Sequence, residues 1–185
     1  SNARQMGNAL AMYVQDYDEL LPRVFTAGPP SRDWTTDLLP YIKAGNLNDA
    51  ALVNPGLAGS RPDLFSARQP FYQCPSKGPS RDTRGFRRGY GYNWWLATST
   101  PIALAEVNFP ADHAAFGDVF GEVDRLVPFD WTGDQRFIPE ARHNEGLNIT
   151  FVDGHAKWVK AANPRVRWPV GVPQTGRPTG SFFWP

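Results

Sequence analysis

The side chains with the most chemistry to offer gather near the end of the chain. His143, Glu145, Asp153 and His155 fall within one short stretch, and imidazoles and carboxylates are the groups from which zinc sites and acid/base pairs are made. Their spacing argues against both. There is no HExxH, His143 and His155 fall on opposite sides of a hairpin strand, no third ligand is close by, and Asp153 has a sufficient role in a turn. The favoured reading of all four is structural, with His143 pinning the start of the hairpin through its ring nitrogens. A second group is acidic. Asp118, Glu122, Asp124, Asp130 and Asp134 occupy a turn-rich stretch, and hard cations such as calcium favour carboxylates on loops. The EF-hand spacing is absent, so a solvated loop is preferred, with Asp118, Asp124 and Asp130 retained as the calcium alternative. Arg81, Arg84, Arg87 and Arg88, with Phe86 and Tyr90 nearby, have the residue types that grip a nucleic acid backbone. With 19 basic against 18 acidic side chains in the whole chain, a solvated loop is again preferred and no nucleic acid partner is expected. His113, beside Asp112, reads as a surface histidine. No nucleophile elbow, phosphate-cradling loop or dinucleotide fingerprint occurs. Nothing here argues for an enzyme, and no cofactor is called for.

The clearest element that must hold these residues is the hairpin from 142 to 160. Asp153-Gly154 is a two-residue type I′ turn signal, because both central positions need positive φ. That loop pairs Val152 with His155, Phe151 with Ala156, Thr150 with Lys157 and Ile149 with Trp158. Alternation then places Leu147, Ile149, Phe151, Ala156 and Trp158 on a core face, and Asn148, Thr150, Val152, His155 and Lys157 on a water face. The partner for the core face is the opposite end of the chain. Met6, Leu10, Tyr13, Tyr17 and Leu20 recur at helical steps between Arg4 and Leu21, an amphipathic stripe that Pro22 stops. Met6, Leu10, Tyr13 and Tyr17 are expected to pack on Ile149, Phe151 and Trp158. Ser1-Asn2-Ala3 reads as the scar of a cleaved expression tag, and the periodic pattern is already running at Met6, as in a helix cut in its middle.

Between these ends, residues 33–39 carry an N-cap acid and a short helix interrupted by Pro40. Residues 44–70 read as a long surface excursion. Phe71 to Pro75 is a short apolar piece ending in a turn, and Tyr90 to Leu96 an aromatic strand whose Gly91 admits a close backbone. Ala114 to Asp118 reads as a short buried strand. A tail, 163–185, ends in Phe182, Phe183 and Trp184, which should pack back on the body or on a neighbour. With 17 Gly and 18 Pro, the chain is expected to be connecting segments and short strands with little helix. Its 185 residues suit one domain, and the single Cys74 excludes an internal disulfide. No run of about 18 apolar residues is present.

His143, nine residues, then Asp153-Gly154 resembles the C-terminal segment of a prepilin-type family marked by "H, nine residues, DG". The resemblance extends along the chain. Arg4-Gln5-Met6-Gly7-Asn8-Ala9-Leu10 with Met12-Tyr13 and Asp16-Tyr17-Asp18 is similar to the family's helix. Trp34 with Leu38-Leu39-Pro40-Tyr41, Cys74-Pro75-Ser76, Tyr90-Gly91 with Asn93, and Val107 with Pro110 up to Asp118 resemble further segments in the same order. The resemblance implies a type II secretion pseudopilin or type IV pilin-like architecture. The fold would be α+β, with a long N-terminal helix packed on a small antiparallel sheet with long loops. Residues 4–162 would form the domain, 4–21 being the second half of the N-terminal helix. It implies a structural, non-enzymatic filament subunit, partnered by other pilin-like subunits. An apolar N-terminal segment that is not in this sequence would tether it to the bacterial inner membrane, with the domain facing the periplasm or exterior. His143, Asp153 and Gly154 would be the family's structural motif. Calcium in a C-terminal loop occurs in related major pseudopilins, without a residue-by-residue match here. Two other readings stand beside it: an extracytoplasmic glycan- or ligand-binding module using some of the seven Trp residues, Trp94-Trp95 among them, and a metal hydrolase centred on His143 and His155.

Overall fold

A computed structural model describes residues 2–23, 25–26, 32–42, 70–77, 89–96, 100–120, 125–126 and 139–161. The expected surface excursion before Pro70, the basic loop, Asp124, Asp130 and the aromatic tail lie outside the described residues. The fold is α+β: an N-terminal helix, α1 (Asn2–Asp16), lies against an antiparallel sheet. A two-residue pair, β1 (Phe25–Thr26) with β2 (Arg32–Asp33), precedes a short helix α2 (Trp34–Leu38) and a 3-10 turn (Leu39–Tyr41) with Pro40 in its first positions. The main sheet is built from β3 (Tyr90–Asn93), β4 (Ala114–Asp118), β6 (Gly146–Phe151) and β7 (Ala156–Lys160), all antiparallel neighbours in the order β3-β4-β6-β7. A short strand, β5 (Arg125–Leu126), adds parallel to the outer side of β3.

Helix α1 forms where the stripe predicts, with Met6, Leu10 and Tyr13 buried. It ends earlier than Pro22 requires. Asp18 and Glu19 adopt left-handed φ of 51° and 61°, and the Glu19 N–H reaches back to the Val14 carbonyl at 2.9 Å. This reversal closes the helix and sends Leu20 and Leu21 to pair with residues 102–103. Tyr17 is therefore not core: it is 45% exposed and stacks on Tyr13 with ring centres 4.2 Å apart.

The hairpin forms, but its register differs by one residue from the expected one. Asn148 faces Trp158, Ile149 faces Lys157 and Thr150 faces Ala156. The Phe151 N–H donates to the His155 carbonyl at 2.8 Å and the Gly154 N–H to the Phe151 carbonyl at 2.9 Å, and Gly154 has φ of 91°. The loop is thus three residues, Val152-Asp153-Gly154, with the glycine alone in the left-handed position, as in a type I turn closed by a bulge. A two-residue type I′ turn does occur, one step earlier. Asn144 and Glu145 have φ of 49° and 60°, and His143 and Gly146 exchange both backbone hydrogen bonds at 2.9 and 3.0 Å.

A slip of one residue exchanges the faces of the second strand relative to the first. Thr150 and Val152, expected in water, are buried beneath α1 together with Phe116. The Thr150 hydroxyl donates to the Ala3 carbonyl at 2.9 Å. Leu147, Ile149, Phe151 and Val159 face the other side of the sheet, where they form a separate apolar cluster with Ala114, Val119 and Leu126. The expected packing of the helix stripe on Ile149, Phe151 and Trp158 is therefore replaced by packing on Thr150, Val152 and an aromatic group. In that group Trp34 meets Phe116 at 5.0 Å and Tyr72 at 5.3 Å. Trp158 is not core either: it is 47% exposed, lies over Gly146 and donates its indole N–H to the His143 carbonyl at 2.7 Å. Fully burying each large apolar side chain, Met6 or Leu10 for example, contributes about 1.5–3 kcal/mol, so both faces of this sheet hold the fold together.

Candidate functional site

The hairpin histidines do not meet. His155 stacks on Phe151 with ring centres 4.3 Å apart, and its Nδ1 lies 2.6 Å from Asp153 Oδ1 at the exposed turn. Asp153 also accepts the His155 backbone N–H at 3.1 Å, which fits its expected place in the turn. His113 is buried rather than on the surface, its Nδ1 3.1 Å from the Phe109 carbonyl oxygen.

His143 instead joins two residues that the spacing of the chain keeps far apart. Its Nε2 lies 3.3 Å from Cys74 Sγ, 69 positions earlier, and 3.3 Å from Asp118 Oδ2. Each of the three side chains is delivered by a separate element. Cys74 follows a 3-10 turn (Pro70–Tyr72) that is tied to the start of α1, since the Asn2 side-chain amide donates to the Phe71 and Gln73 carbonyls at 2.9 and 3.1 Å. Gly89 lets it in: a Cβ there would stand 2.5 Å from the Cys74 Cβ. Asp118 is the last residue of β4 and shares the helix side of the sheet with Phe116. His143 is fixed by its reciprocal bonds to Gly146 and by the Trp158 indole. The ring thus leaves a backbone already pinned, so the expected role of His143 at the start of the hairpin belongs to its main chain.

The surroundings are charged and closely held. The Asp118 side chain is fully buried. Its Oδ2 accepts the Asn148 backbone N–H at 2.8 Å, while Oδ1 faces Arg142 Nη1 at 3.6 Å without a hydrogen bond. Arg142 donates to the Gly89 carbonyl at 3.1 Å, to the Val119 carbonyl and to the Glu140 carboxylate. Burial pushes the Asp118 carboxyl above its ordinary range, against the opposing pull of the Asn148 N–H, Arg142 and His143. Burial works the other way on Arg142, but Asp118, Cys74 and Glu140 outweigh it and the guanidinium is held above its usual value. Tyr90, beside Cys74, is raised well above the ordinary phenol range by burial, then by Cys74 and Asp118.

The geometry separates two kinds of chemistry. A nucleophile relay needs the imidazole to stand between thiol and carboxylate, one on each ring nitrogen. Here both face the same nitrogen, Nε2, so no proton passes from sulfur through the ring to the carboxylate. Three ligand-type atoms instead converge on one point, all within 4.8 Å of one another. Asp118, the one described member of the expected calcium trio, stands in a strand among a thiol, an imidazole and a guanidinium. That is not the all-oxygen loop that calcium takes. Sequence reasoning placed no chemistry on Cys74. The available signal was that Cys74, Asp118 and His143 each anchor a segment of the prepilin-type resemblance. Comparison of the chain with protein-family models, with curated proteins and with solved structures finds no match.

Proposed function

We propose that this chain is the extracytoplasmic domain of a pseudopilin-like subunit, a structural and non-enzymatic component of a type II secretion or type IV pilus-like filament. The observation that carries the reading is the docking of α1. One stripe, Met6, Leu10 and Tyr13, is buried on the sheet, while Arg4, Gln5, Asn8, Ala11, Met12 and Gln15 on the other side stay exposed. A helix held this way can continue outward as one rod, and its free side is available to other subunits. The meeting of Cys74, Asp118 and His143 lends further support, because three segments of the resemblance that are remote in sequence depend on one another in space. In this reading the membrane is reached through an apolar N-terminal segment, and the domain faces the periplasm or the cell exterior. Among the described residues no helix is long and apolar enough to cross a membrane itself.

The binding-module alternative needs a platform of coplanar exposed aromatics. Of the described tryptophans, Trp34 is buried, Trp94 and Trp95 are half-buried, and Trp158 is the exposed one, which favours the structural subunit. The test is the coding sequence upstream of Arg4. A short basic leader, a cleavage site and about 20 apolar residues in helical phase with Met6 and Leu10 are expected. A plain secretion signal or another folded domain there overturns the filament reading.

A further inference from the structure

We propose that Cys74, Asp118 and His143 are the three protein ligands of a divalent transition-metal site of the zinc class, with a fourth position left to water beside the partly exposed His143 ring. The inference does not rest on the filament reading. It starts from the crowding of His143 Nε2. A single ring nitrogen offers one lone pair or one proton, yet it faces both Cys74 Sγ and Asp118 Oδ2 at 3.3 Å. A cation placed between the three atoms satisfies all of them at once. Zinc bonds of about 2.3 Å to sulfur and 2.0–2.2 Å to nitrogen and oxygen, at tetrahedral angles, separate S from N by about 3.6 Å and N from O by about 3.4 Å. The observed 3.3 Å separations lie about 0.3 Å inside the first value and about 0.1 Å inside the second.

A second observation is independent of these distances. Asp118 is fully buried, and its Oδ1 has no hydrogen-bond partner. Ionising a fully buried carboxylate is costly unless its charge is compensated, and a cation on Oδ2, the oxygen that faces the His143 ring, adds to the compensation that Arg142 gives Oδ1 from 3.6 Å. The charges agree as well. A Cys74 thiolate with the Asp118 and Glu140 carboxylates, against the Arg142 guanidinium and a neutral imidazole, sums to −2, which a dication neutralises. The donor set of thiolate, imidazole and carboxylate selects zinc-class metals over calcium or magnesium. Arg142 and the Asn148 N–H then orient the ligating carboxylate from the outer shell. On binding, the Cys74 thiol loses its proton to solvent and sulfur takes up the metal. The segment after the 3-10 turn Pro70–Tyr72, strand β4 and the segment before the hairpin become cross-linked at one point.

The experiment uses the tag-free chain stripped with chelator and titrated with Zn²⁺, and in parallel with Co²⁺ as an optical probe. The expected result is one equivalent of metal per chain, a sulfur-to-cobalt charge-transfer absorption, and a rise in the thermal midpoint on adding Zn²⁺ that chelator reverses. Cys74→Ser should abolish the charge-transfer band, and His143→Gln should weaken binding at least tenfold. His155→Gln, at the exposed turn, should bind like the wild type. Absence of stoichiometric metal uptake by the folded wild type overturns the proposal, with no variant needed. So does uptake that is unchanged in both Cys74→Ser and His143→Gln. Loss of uptake in His155→Gln alone places the metal elsewhere and equally overturns it.

Discussion

Replacing the helical Gly7 by alanine gives the sharpest test of how α1 is docked, because two effects of known sign oppose each other. In an exposed helix interior the change stabilises by about 0.8–1 kcal/mol, alanine being the best helix former and glycine among the worst. At this position a Cβ would stand 2.0 Å from the Gly154 carbonyl oxygen, 2.8 Å from its carbon and 3.1 Å from Thr150 Cγ2. The nearest of these is backbone in a tight turn, which cannot swing aside as a side chain would. The helix has to retreat by about 1 Å or more, and overpacking of this kind costs about 1–3 kcal/mol. Retreat also stretches the bond from the Thr150 hydroxyl to the Ala3 carbonyl, 2.9 Å in the structure, a loss of about 1 kcal/mol. Setting about 2–4 kcal/mol of cost against about 1 of gain leaves Gly7→Ala destabilised by about 1–3 kcal/mol. Urea unfolding followed by far-ultraviolet circular dichroism measures it, with Asn8→Ala on the exposed side of α1 as the control, expected neutral or stabilised by a few tenths of a kcal/mol. A Gly7→Ala protein as stable as the wild type, or more so, refutes the contact between α1 and the β6–β7 turn.

The remaining expectations follow the same logic. Phe151→Ala, in the cluster behind the sheet, should cost about 3–5 kcal/mol, whereas the half-exposed Trp158→Ala should cost about 1–2, mostly the indole bond to the His143 carbonyl and the cover over Gly146. Parallel urea titrations in which Trp158→Ala is the more damaging of the two would restore the register expected from the turn signal. Gly154→Val should lose about 1–3 kcal/mol from forcing a β-branched residue to positive φ, read as a lowered unfolding midpoint with the native circular dichroism spectrum retained at low temperature. Tyr41 donates to Asp16 Oδ2 at 2.8 Å, and burial followed by Asp16 lifts its phenol to about 12. A raised folded-state value means its stabilising share is present below about pH 10 and is lost as pH rises towards about 12. The slope of stability between those limits should flatten in Tyr41→Phe, and an unchanged slope would remove the bond to Asp16 from consideration.

Much of this architecture can be read from residue order alone, and the failures have identifiable physical causes. The stripe of Met6, Leu10 and Tyr13 marks a helix because burial at 3.6-residue spacing has few other meanings, and Ala114–Asp118 reads as a buried strand for want of any charge before its end. Asp153-Gly154 is ambiguous. The pair suits a two-residue turn with two positive φ values and equally a three-residue loop with one, and the choice shifts the register by one. Nothing local decides it. The structure takes the three-residue loop, and its Gly154 lies against Gly7 of α1, across the molecule. The neighbouring type I′ turn was illegible for the opposite reason: Glu145 is a poor residue for positive φ, held there by the pairing on either side. The Cys74, Asp118 and His143 cluster has no spacing signature, since its members come from a turn, a strand end and a hairpin start. Only their shared presence among the segments of a family resemblance hinted that they belong together.

The hydrogen bond between Thr150 and Ala3 spans 147 positions of chain, and this has a consequence for biosynthesis. The helix is made first, but the strand and turn that receive it are made near the end. At about 5–20 residues per second, its apolar stripe waits about 7–30 seconds before the part of its docking surface carried by Thr150 and Val152 exists. During that interval Met6, Leu10 and Tyr13 form an unsatisfied greasy face on a tethered, marginal helix. The helix can dock in full only once the last hairpin has been made.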